Sequence, residues 1–495
     1  MDIFETIVYG FSVACTPVRL LMCFLGVFIG TLIGVLPGIG PSATIAILLP
    51  ASFKLDPTSA IILLAGIYYG AMYGGSITSI LVNIPGESAS VVTCLDGYQM
   101  ARQGRAGPAL GISAFGSFIG GTLSIIGLML VAPPLTEFAL QFGPPEFFAL
   151  ILCGFAILIH LGMGSKLKAL IMALVGVFLA EVGTDLITGR QRFTFGAITL
   201  LDGIPLVPMV MGLFGIAEVL HNLEQTFKRV VYKTSISNLL PNLEDWKASA
   251  GPMFRGTMLG FFLGLLPGGS ATLASFASYA LEKKISKHPE KFGKGTIAGV
   301  AAPETSNNAA TGSAFIPMLT LGIPANPVMA LIMAALMNHG VQPGPLLMQK
   351  SPEVFWGVVI SMYIGNVMLL VLNLPLINFW VKLLKIPYSV LFPMIILFCL
   401  IGAYSAMSSY EEVIIMIAFG VLGYLMRKFK YEPVPLIFAF ILTPLIERAF
   451  RQSLTISHGD FSIFFRPPIA LILMITSFIL ISLLILPFIK RRRTT

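Results

Sequence analysis

The chain has 495 residues, of which 56% are hydrophobic and only 11% are charged, and its mean hydropathy is +0.89. Water-soluble domains carry roughly 25% charged residues, so this composition excludes a water-soluble globular protein and indicates a chain that lies in a lipid bilayer. The formal net charge of +8 does not indicate nucleic-acid binding, because the basic residues lie in short clusters between apolar segments. Under the positive-inside rule, such clusters predict cytoplasmic loops.

Continuous apolar runs of membrane-spanning length recur along the chain. They predict helices, because the strands of a membrane barrel alternate apolar and polar residues instead. We therefore expect an all-α polytopic membrane protein that forms a single transmembrane domain over residues 1–495. The clearest predicted spans lie at about 110–133, 146–163, 169–186, 204–220, 354–372 and 469–488.

A polar stretch at 221–250 divides the chain, and the two halves resemble each other. GVLPGIGPSATIAILLP at 34–50 matches GLLPGGSATLASFASYA at 264–280, and GGSITSILVNIPGESASVV at 74–92 matches TGSAFIPMLTLGIPANPVM at 311–329. Two landmarks in the same order favour an internal duplication, although a chance resemblance between apolar segments is the alternative. The resulting prediction is repeat one at about 18–220, a cytoplasmic linker at 221–250, repeat two at about 251–450, a C-terminal span at 467–489 and a basic cytoplasmic tail at 490–495.

The segment at about 252–282 is interrupted by Pro267-Gly268-Gly269 and has basic residues on both sides. Each arm is shorter than the roughly 20 residues that a membrane-spanning helix needs. The segment therefore predicts a re-entrant helical hairpin whose two ends lie on the cytoplasmic face. Its counterpart around Pro37 would enter from the opposite face, so the two repeats are predicted to have inverted topology.

Four breaks rich in proline and glycine occur at predicted membrane depth, at Pro37–Gly40, Asn83–Gly86, Pro267–Ser270 and Ile323–Asn326, and a polar stretch at Pro303–Asn308 interrupts another apolar run. A bilayer tolerates broken helices only where protein or a water-lined cavity surrounds them. The N-termini of half-helices suit a carboxylate, unwound carbonyls suit Na⁺, and paired breaks are typical of a transport site near the middle of the membrane. The polar side chains at the breaks are Ser42, Thr44, Ser88, Ser270, Thr272, Asn307, Asn308 and Asn326.

Some of these residues have structural explanations as well. Ser42 and Ser270 are candidate N-caps of the half-helices that follow them, with or without a ligand contact. Asn83 and Asn326 flank turns, where asparagine is common for conformational reasons.

Two acidic residues lie at or near the breaks. Glu304 either stabilises the first turn of a helix or takes part in cation binding or proton transfer. Glu87 is either solvated at a hairpin tip or functional. The sequence contains no G-x-x-x-x-G-K-[ST], H-E-x-x-H or G-x-S-x-G motif, so neither direct ATP use nor an enzymatic function is expected.

The motifs at 34–50, 66–107 and 264–312, followed by LTLGIPANP and HGVQPGP, closely resemble the large permease subunit of the tripartite tricarboxylate transporter family. This resemblance extends over nearly the whole chain. It implies a secondary transporter of the bacterial inner membrane that imports tricarboxylates or related small carboxylates, driven by a Na⁺ or H⁺ gradient. It also implies two partners, a small four-helix membrane subunit and a periplasmic solute-binding protein. No cofactor is expected apart from Na⁺ as a coupling ion.

The matching motifs also imply where the site lies. The first repeat reads PGIGPSAT where the second reads PGGSAT, so the paired sites need not be equivalent. The implied substrate-binding residues are Gly38, Gly40, Ser42, Asn83, Gly86, Ser88, Gly268, Gly269, Ser270, Thr272, Asn307, Asn308 and Asn326. The implied residues for cation or proton coupling are Glu304, Thr305, Ser306 and Thr44.

Analogy with other hairpin-containing anion transporters favours an elevator motion over rocking, and a homodimer. Two other functions stay open: a stand-alone ion-coupled dicarboxylate carrier, and a membrane-embedded enzyme or scaffold without transport activity.

Overall fold

The chain is an all-α polytopic membrane protein. The computed structural model describes residues 3–36, 40–162, 164–185, 187–224, 239–384, 388–407 and 409–492. Within these ranges, the strands are one short antiparallel pair, β1 (Gly183–Thr184) and β2 (Gln191–Arg192). Six helices in the same ranges are long and apolar enough to cross a membrane, at Pro17–Val35, Pro57–Val82, Ala106–Ala139, Pro144–Leu161, Leu206–Leu223 and Pro352–Asn373.

Proline stands at the first position of many of these helices, where its missing N–H costs nothing and its fixed φ favours the first turn. The first half contains α1 (Ile3–Ala14), α2 (Pro17–Val35), α3 (Pro41–Ser52), α4 (Pro57–Val82), α5 (Val91–Arg102), α6 (Ala106–Ala139), α7 (Pro144–Leu161), α8 (Lys166–Ala180), α9 (Leu206–Val210) and α10 (Ala217–Leu223). A π-helical turn at Met211–Ile216 makes α9 and α10 one continuous helical segment.

The second half contains α11 (Leu243–Gly264), α12 (Ala271–Ile285), α13 (Ala298–Ser313), α14 (Phe315–Leu321), α15 (Pro327–Asn338), α16 (Leu347–Lys350), α17 (Pro352–Asn373), α18 (Ile377–Leu383), α19 (Tyr388–Met407), α20 (Tyr410–Lys428), α21 (Val434–Ile456) and α22 (Pro468–Arg492). The predicted spans at 110–133, 146–163, 204–220, 354–372 and 469–488 each coincide with a helix.

One predicted span was too long. The span expected at 169–186 is α8, which has 15 residues and ends at Ala180. The chain then turns into the β1–β2 pair, where Gly183 has φ 127° and the charged side chains of Glu181 and Asp185 bind Arg192.

The first arm of the second hairpin also differs from the prediction. Helix α11 has 22 residues and begins inside the expected linker at 221–250. Its start is fixed by a capping box in which the Asn242 side chain accepts a hydrogen bond from the Asp245 N–H at 2.8 Å. The polar first turns of this helix look like a linker in the sequence because they lie at its water-facing end. Residues 225–238 of the linker and 493–495 of the tail lie outside the described residues.

The polar stretch at Pro303–Asn308 does not interrupt a helix, because α13 runs through it. Its hydroxyl groups find partners without a break: Thr305 donates to the Ala301 carbonyl at 2.6 Å and Ser306 donates to the Ala274 carbonyl at 3.0 Å. The helix therefore keeps its backbone ladder while it carries polar side chains into the bundle.

The pairs α2–α3 and α11–α12 are both helical hairpins. Arg19, in the first turn of α2, lies 3.5 Å from Asp56, which follows α3 and caps α4. The two ends of the first hairpin therefore lie together. Arg255 of α11 binds Glu282 of α12 through two hydrogen bonds of 2.7 and 2.8 Å, so the arms of the second hairpin also lie side by side.

These hairpins open at opposite ends of the molecule. Helices α4 and α13 run antiparallel, because Ser76 of α4 binds Glu304 of α13 while the earlier Tyr68 binds the later Thr311. The first hairpin opens beside the start of α4, and the second opens beside the start of α13, where Asp96 binds Tyr279 of α12. This geometry is what inverted repeats require, but the duplication itself stays a prediction.

Small residues bring the paired helices into close contact. A Cβ atom at Gly30 of α2 would lie 2.5 Å from the Ile67 carbonyl oxygen of α4. Glycine or alanine at every fourth position removes the side chains that would hold such helices apart. The first-half ladder is Gly26, Gly30 and Gly34 against Gly66, Gly70 and Gly74, and the second-half ladder is Gly256, Gly260 and Gly264 against Ala302, Ser306 and Ala310. Gly256 lies 230 positions after Gly26, the same offset that separates Pro267 from Pro37, which further supports a duplication.

Two groups of helices can be distinguished by their packing. The core bundle comprises α1–α6 and α11–α18, with α2 on α4, α11 on α13 and α6 on α13 as its main contacts. The flanking group comprises α7–α10 and α19–α22, in which α21 packs on α7 and α8, and α20 packs on the α9–α10 segment. The half-helices α3 and α15 of the core bundle also contact the flanking group, so the broken helices lie where the two groups meet.

Candidate functional site

The broken ends of the helices contact each other. The Gly268 N–H donates to the Ala325 carbonyl at 2.8 Å, which joins the third break to the fourth. The Ser88 and Thr272 hydroxyl groups lie 2.8 Å apart, which joins the second break to the third. Of the first break only Gly40 is described, and the predicted site residue Gly38 lies outside the described residues.

A cavity of about 770 Å³ lies at these broken ends, between the core bundle and the flanking group. All four breaks contribute to its wall, so residues separated by nearly 290 positions in sequence meet around one space. The predicted substrate-binding residues that line it are Gly40, Ser42, Gly86, Ser88, Gly268, Ser270, Thr272 and Asn326.

Three helices begin at this wall, and their first turns face the cavity. The first amides of an α-helix have no partner within the helix, and the aligned peptide dipoles make this end positive. The residues of those first turns that line the cavity are Ser42 and Ala43 of α3, Ala271 and Thr272 of α12, and Val328 of α15. An arrangement of several helix N-termini around one space is suited to binding an anion such as a carboxylate.

Of the residues discussed above as possible helix caps or turn residues, Ser270 and Asn326 cap a helix in the structure and Ser42 does not. Ser270 does cap α12, since its hydroxyl accepts from the Leu273 N–H at 3.2 Å, and it lines the cavity as well. Asn326 caps α15 and also donates to the Tyr68 hydroxyl at 3.1 Å. The capping interpretation of Ser42 was wrong, because Gly40 holds the N-cap position and Ser42 is the second residue of α3.

Some predicted site residues do not line the cavity. Asn83 is exposed and ends α4 with φ 58°, a left-handed conformation that asparagine adopts readily, so the turn explains this residue. Gly269 is buried where a Cβ atom would overlap the Leu263 carbonyl. Thr44 is buried behind the wall, and its hydroxyl donates to the Gly40 carbonyl at 3.2 Å.

The polar residues of α13 also lie behind the wall. Thr305, Ser306, Asn307 and Asn308 are all buried on this helix, and none of them lines the cavity. The Asn308 side chain donates to the Glu304 carbonyl at 3.0 Å and to the Asn307 side-chain oxygen at 2.5 Å. In this conformation these residues lie behind the cavity wall and would not contact a molecule bound in the cavity.

Glu304 lies at the centre of this buried polar region and is fully buried. Its carboxyl group accepts hydrogen bonds from the Ser76 and Thr93 hydroxyl groups, and Ser113 and Asn307 lie beside it. It is the seventh residue of α13, so the first-turn interpretation of Glu304 was wrong. Throughout the described part of the chain, no lysine or arginine forms an ion pair with it.

The hydroxyl partners limit what the Glu304 carboxyl group can do. The Ser76 hydroxyl lies 3.3 Å from the Met72 carbonyl as well as next to Glu304. A hydroxyl group has one proton, so if Ser76 donates to Met72, a protonated Glu304 must donate to Ser76. A carboxyl group surrounded by hydroxyl oxygens therefore suits a bound proton or a bound Na⁺, with Ser76 and Thr93 as further oxygen ligands.

A second buried acid lies on the cavity wall. Glu87 is only 7% exposed, so the expectation of a solvated tip residue was wrong. One of its oxygens accepts from the Ala89 N–H at 2.5 Å, and the other has no hydrogen-bond partner among the described residues. A Cβ atom at Gly75 would lie 2.8 Å from the Glu87 Cγ atom, and the next residue, Ser76, binds Glu304. Adjacent residues of α4 thus contact two buried acids, one on the wall and one behind it.

The flanking group supplies the part of the wall that the sequence did not predict. It includes Leu158 and Leu161 of α7, Phe214, Glu218 and His221 of the α9–α10 segment, Arg427 of α20, and the segment Tyr431–Pro435 where α21 begins. Arg427 is the only lysine or arginine on the described wall, and it forms an ion pair with Glu218. In the sequence Arg427 belongs to a basic cluster after an apolar run, a signal that indicates a cytoplasmic loop and nothing more.

The amino-acid sequence of the chain is similar to those of known proteins. A family profile described as the tripartite tricarboxylate transporter TctA family matches residues 20–438. The chain is 51% identical over 493 residues to an Agrobacterium vitis protein named "Uncharacterized 52.8 kDa protein in TAR-I ttuC' 3'region", with 100% of this chain and 98% of that protein covered. A second protein from Agrobacterium vitis, "Uncharacterized protein in TAR-II ttuC' 3'region", is 49% identical over 234 residues, which cover 47% of this chain and 97% of that protein. No solved structure matches the chain.

Proposed function

Since the chain belongs to the tripartite tricarboxylate transporter TctA family, we propose that it is the large membrane subunit of a secondary importer of tricarboxylates or related small carboxylates. The observation that carries this proposal is the convergence of three helix N-termini on one cavity between the two helix groups. An anion can be held there by the backbone amides of these first turns. No enzymatic step is part of the proposal.

Substrate binding follows from the first turns of α3, α12 and α15. A carboxylate at these turns accepts hydrogen bonds from the backbone amides, and the Ser42 and Thr272 hydroxyl groups add further donors. Because Asn326 and Ser270 cap their helices from the same wall, they hold the two N-termini in position while they contribute polar surface to the site.

The two buried acids support coupling to a Na⁺ or H⁺ gradient. Among the residues that the structure describes, neither Glu304 nor Glu87 has a basic partner, so each is most stable when a proton or a cation neutralises it. Glu87 contacts Gly75 and Glu304 binds the adjacent Ser76 of α4, which links the state of Glu304 to the wall of the cavity.

The position of the cavity between two groups of helices supports alternating access. Movement of the core bundle relative to the flanking group, in an elevator motion, would expose the helix tips to one side and then to the other. The periplasmic binding protein would deliver the substrate on the outer side, and the small four-helix subunit would pack in the membrane. The proposal places the protein in the bacterial inner membrane with its C-terminus in the cytoplasm.

The test is uptake of a labelled carboxylate into proteoliposomes that contain this chain and the small membrane subunit. We expect uptake only when the binding protein and an inward Na⁺ or H⁺ gradient are both present. Ser42→Ala with Thr272→Val should raise the KM for the substrate at least about tenfold, since two hydroxyl donors to a charged group are lost. The matched control is Ser278→Ala, a buried serine of α12 that bonds the Ser275 carbonyl and lies away from the cavity.

Each alternative predicts a different outcome. Uptake without any binding protein would favour a stand-alone carrier. Absence of uptake for every carboxylate, with every binding protein supplied, would favour a membrane-embedded protein without transport activity. A wild-type KM in the Ser42→Ala, Thr272→Val double variant would show that these two hydroxyl groups do not contact the substrate.

Ion coupling is tested separately with Glu304→Gln. This change keeps the shape of the side chain but removes its ability to carry a charge. We expect gradient-driven uptake to fall at least about a hundredfold, while exchange of labelled for unlabelled substrate across the membrane continues. Glu412→Gln is the control, since Glu412 is a buried acid of α20 that does not line the cavity. Normal gradient-driven uptake by Glu304→Gln would contradict the assignment.

A further inference from the structure

We propose that Arg427 binds a second carboxylate of the substrate, and that Glu218 occupies this carboxylate position while the cavity is empty. This inference rests on the proposed function and makes it more specific, because it restricts the substrates to anions with at least two carboxylates.

The ion pair is part of the cavity wall and comes from the flanking group. Arg427 lies in the last turn of α20 and Glu218 in the first turn of α10. Both side chains line the cavity, and they are 25% and 18% exposed, so the pair is partly buried and accessible from the cavity. The helix tips that suit the first carboxylate belong to the core bundle, so Arg427 approaches the same space from the opposite group of helices.

The chemistry of the pair suits an exchange of one carboxylate for another. A guanidinium group presents several N–H donors in a plane that matches a carboxylate, and it stays charged at every physiological pH. A substrate carboxylate can therefore replace the Glu218 carboxylate on Arg427 without leaving the arginine unpaired. Glu218 has a second partner ready, since the Asn222 side chain donates to its other oxygen at 3.2 Å. The exchange thus leaves no charge of the pair without a hydrogen bond.

This arrangement selects for the number of carboxylates. A monocarboxylate bound at the helix tips leaves the Arg427–Glu218 pair intact and gains nothing from it. A dicarboxylate or tricarboxylate reaches both groups of helices at once. It would therefore connect the core bundle to the flanking group during binding, which a monocarboxylate could not do.

The experiment compares Arg427→Gln with Glu218→Gln in the reconstituted complex. The probes are citrate, succinate and propionate, which carry three, two and one carboxylates. For whichever polycarboxylate the wild type takes up, we expect Arg427→Gln to raise the KM at least about tenfold. We expect Glu218→Gln to lower the same KM, because the competitor for Arg427 has been removed. The matched control is Lys428→Gln, since the neighbouring Lys428 pairs with Glu224 at 3.3 Å outside the cavity.

If the ion pair has only a structural role, removing either partner impairs folding, so Arg427→Gln and Glu218→Gln both reduce uptake. If Glu218→Gln behaves like Arg427→Gln, or if Arg427→Gln keeps the wild-type KM, the inference is overturned. Arg427→Lys, which retains the charge but not the planar donor set, serves if Arg427→Gln does not fold, and an intermediate KM is expected for it. If the wild type takes up no carboxylate at all, the proposed function fails instead, so the two failures are distinguishable.

Discussion

The glycine ladder between α2 and α4 makes a quantitative prediction about Gly30. In Gly30→Ala, the added methyl group would lie 2.5 Å from the Ile67 carbonyl oxygen and 2.9 Å from the Gly70 Cα atom. Favourable contacts between such atoms occur at about 3.5–4.0 Å, so the two helices must separate by about 1 Å to admit it. Both neighbours are backbone atoms, which cannot rotate away as a side chain could.

The cost of that separation is the cost of overpacking, about 1–3 kcal/mol for one extra methyl group. Part of it is offset, because alanine favours a helix over glycine by about 0.5–1 kcal/mol. We therefore expect Gly30→Ala to destabilise the protein by about 1 kcal/mol, and by no more than about 2.5 kcal/mol. Gly260→Ala, at the corresponding place in the second half, should have a similar effect because its Cβ atom would overlap the Ser306 carbonyl.

The assay is thermal unfolding of the detergent-solubilised protein, with Gly154→Ala as the matched control. Gly154 lies inside the spanning helix α7, and the nearest atoms to its Cβ position are 3.8 Å away, an ordinary contact distance. We expect Gly154→Ala to match or exceed the wild-type stability. Equal unfolding midpoints for Gly30→Ala and Gly154→Ala would show that close helix contact does not determine the position of α2.

Two further predictions concern the loop before α13 and the motion of the tips. The buried Asp96 carboxylate accepts hydrogen bonds from three backbone N–H groups at 2.7–3.0 Å. Asp96→Asn should therefore destabilise the protein by about 3 kcal/mol in thermal unfolding. Wild-type stability of this variant would contradict the prediction. A disulfide in Gly154→Cys, Pro267→Cys should block uptake reversibly, because the Cβ positions are 3.9 Å apart across the two helix groups. Oxidation of Ser88→Cys, Thr272→Cys, a pair within the core bundle, should cause no loss of uptake beyond that of the reduced variant, which already lacks the two cavity hydroxyl groups. The opposite pattern would refute an elevator motion.

The sequence was most informative where chain chemistry alone determines structure. Proline and glycine at membrane depth predicted the breaks at 83–86, 267–270 and 323–326, because few other residues permit them, and these breaks do converge on the cavity. The ends of α8 and α11 were not predicted correctly, since the polar residues that end one helix and begin the other resemble loop residues. The ladder from Gly26 to Gly34 is visible in the sequence as glycine at every fourth position, but its partner helix is not.

The second wall of the cavity could not be predicted, for a different reason. Glu218 and Arg427 are separated by 209 positions, and nothing local to either residue indicates the other. Whether they meet depends on how α10 and α20 pack, and that packing is set by contacts such as Gly212 against Met416. The burial of Glu87 could not be predicted for the same reason. Its position beside a turn suggests exposure to solvent, whereas its burial depends on how closely Gly86 approaches α2 and α4.

The charges on the cavity wall indicate why transport would be coupled to a cation. The helix N-termini attract an anion, but an ionised Glu87 on the same wall repels it. At a separation of roughly 5 Å and an effective dielectric constant of about 20, two unit charges repel by about 3 kcal/mol, more than a hundredfold in affinity. Neutralisation of Glu87 by a proton or Na⁺ would remove this penalty, and Glu304 would hold the same ion or a second one behind α4. The carboxylate would then bind only after the cation, so the protein would not move the carboxylate without it.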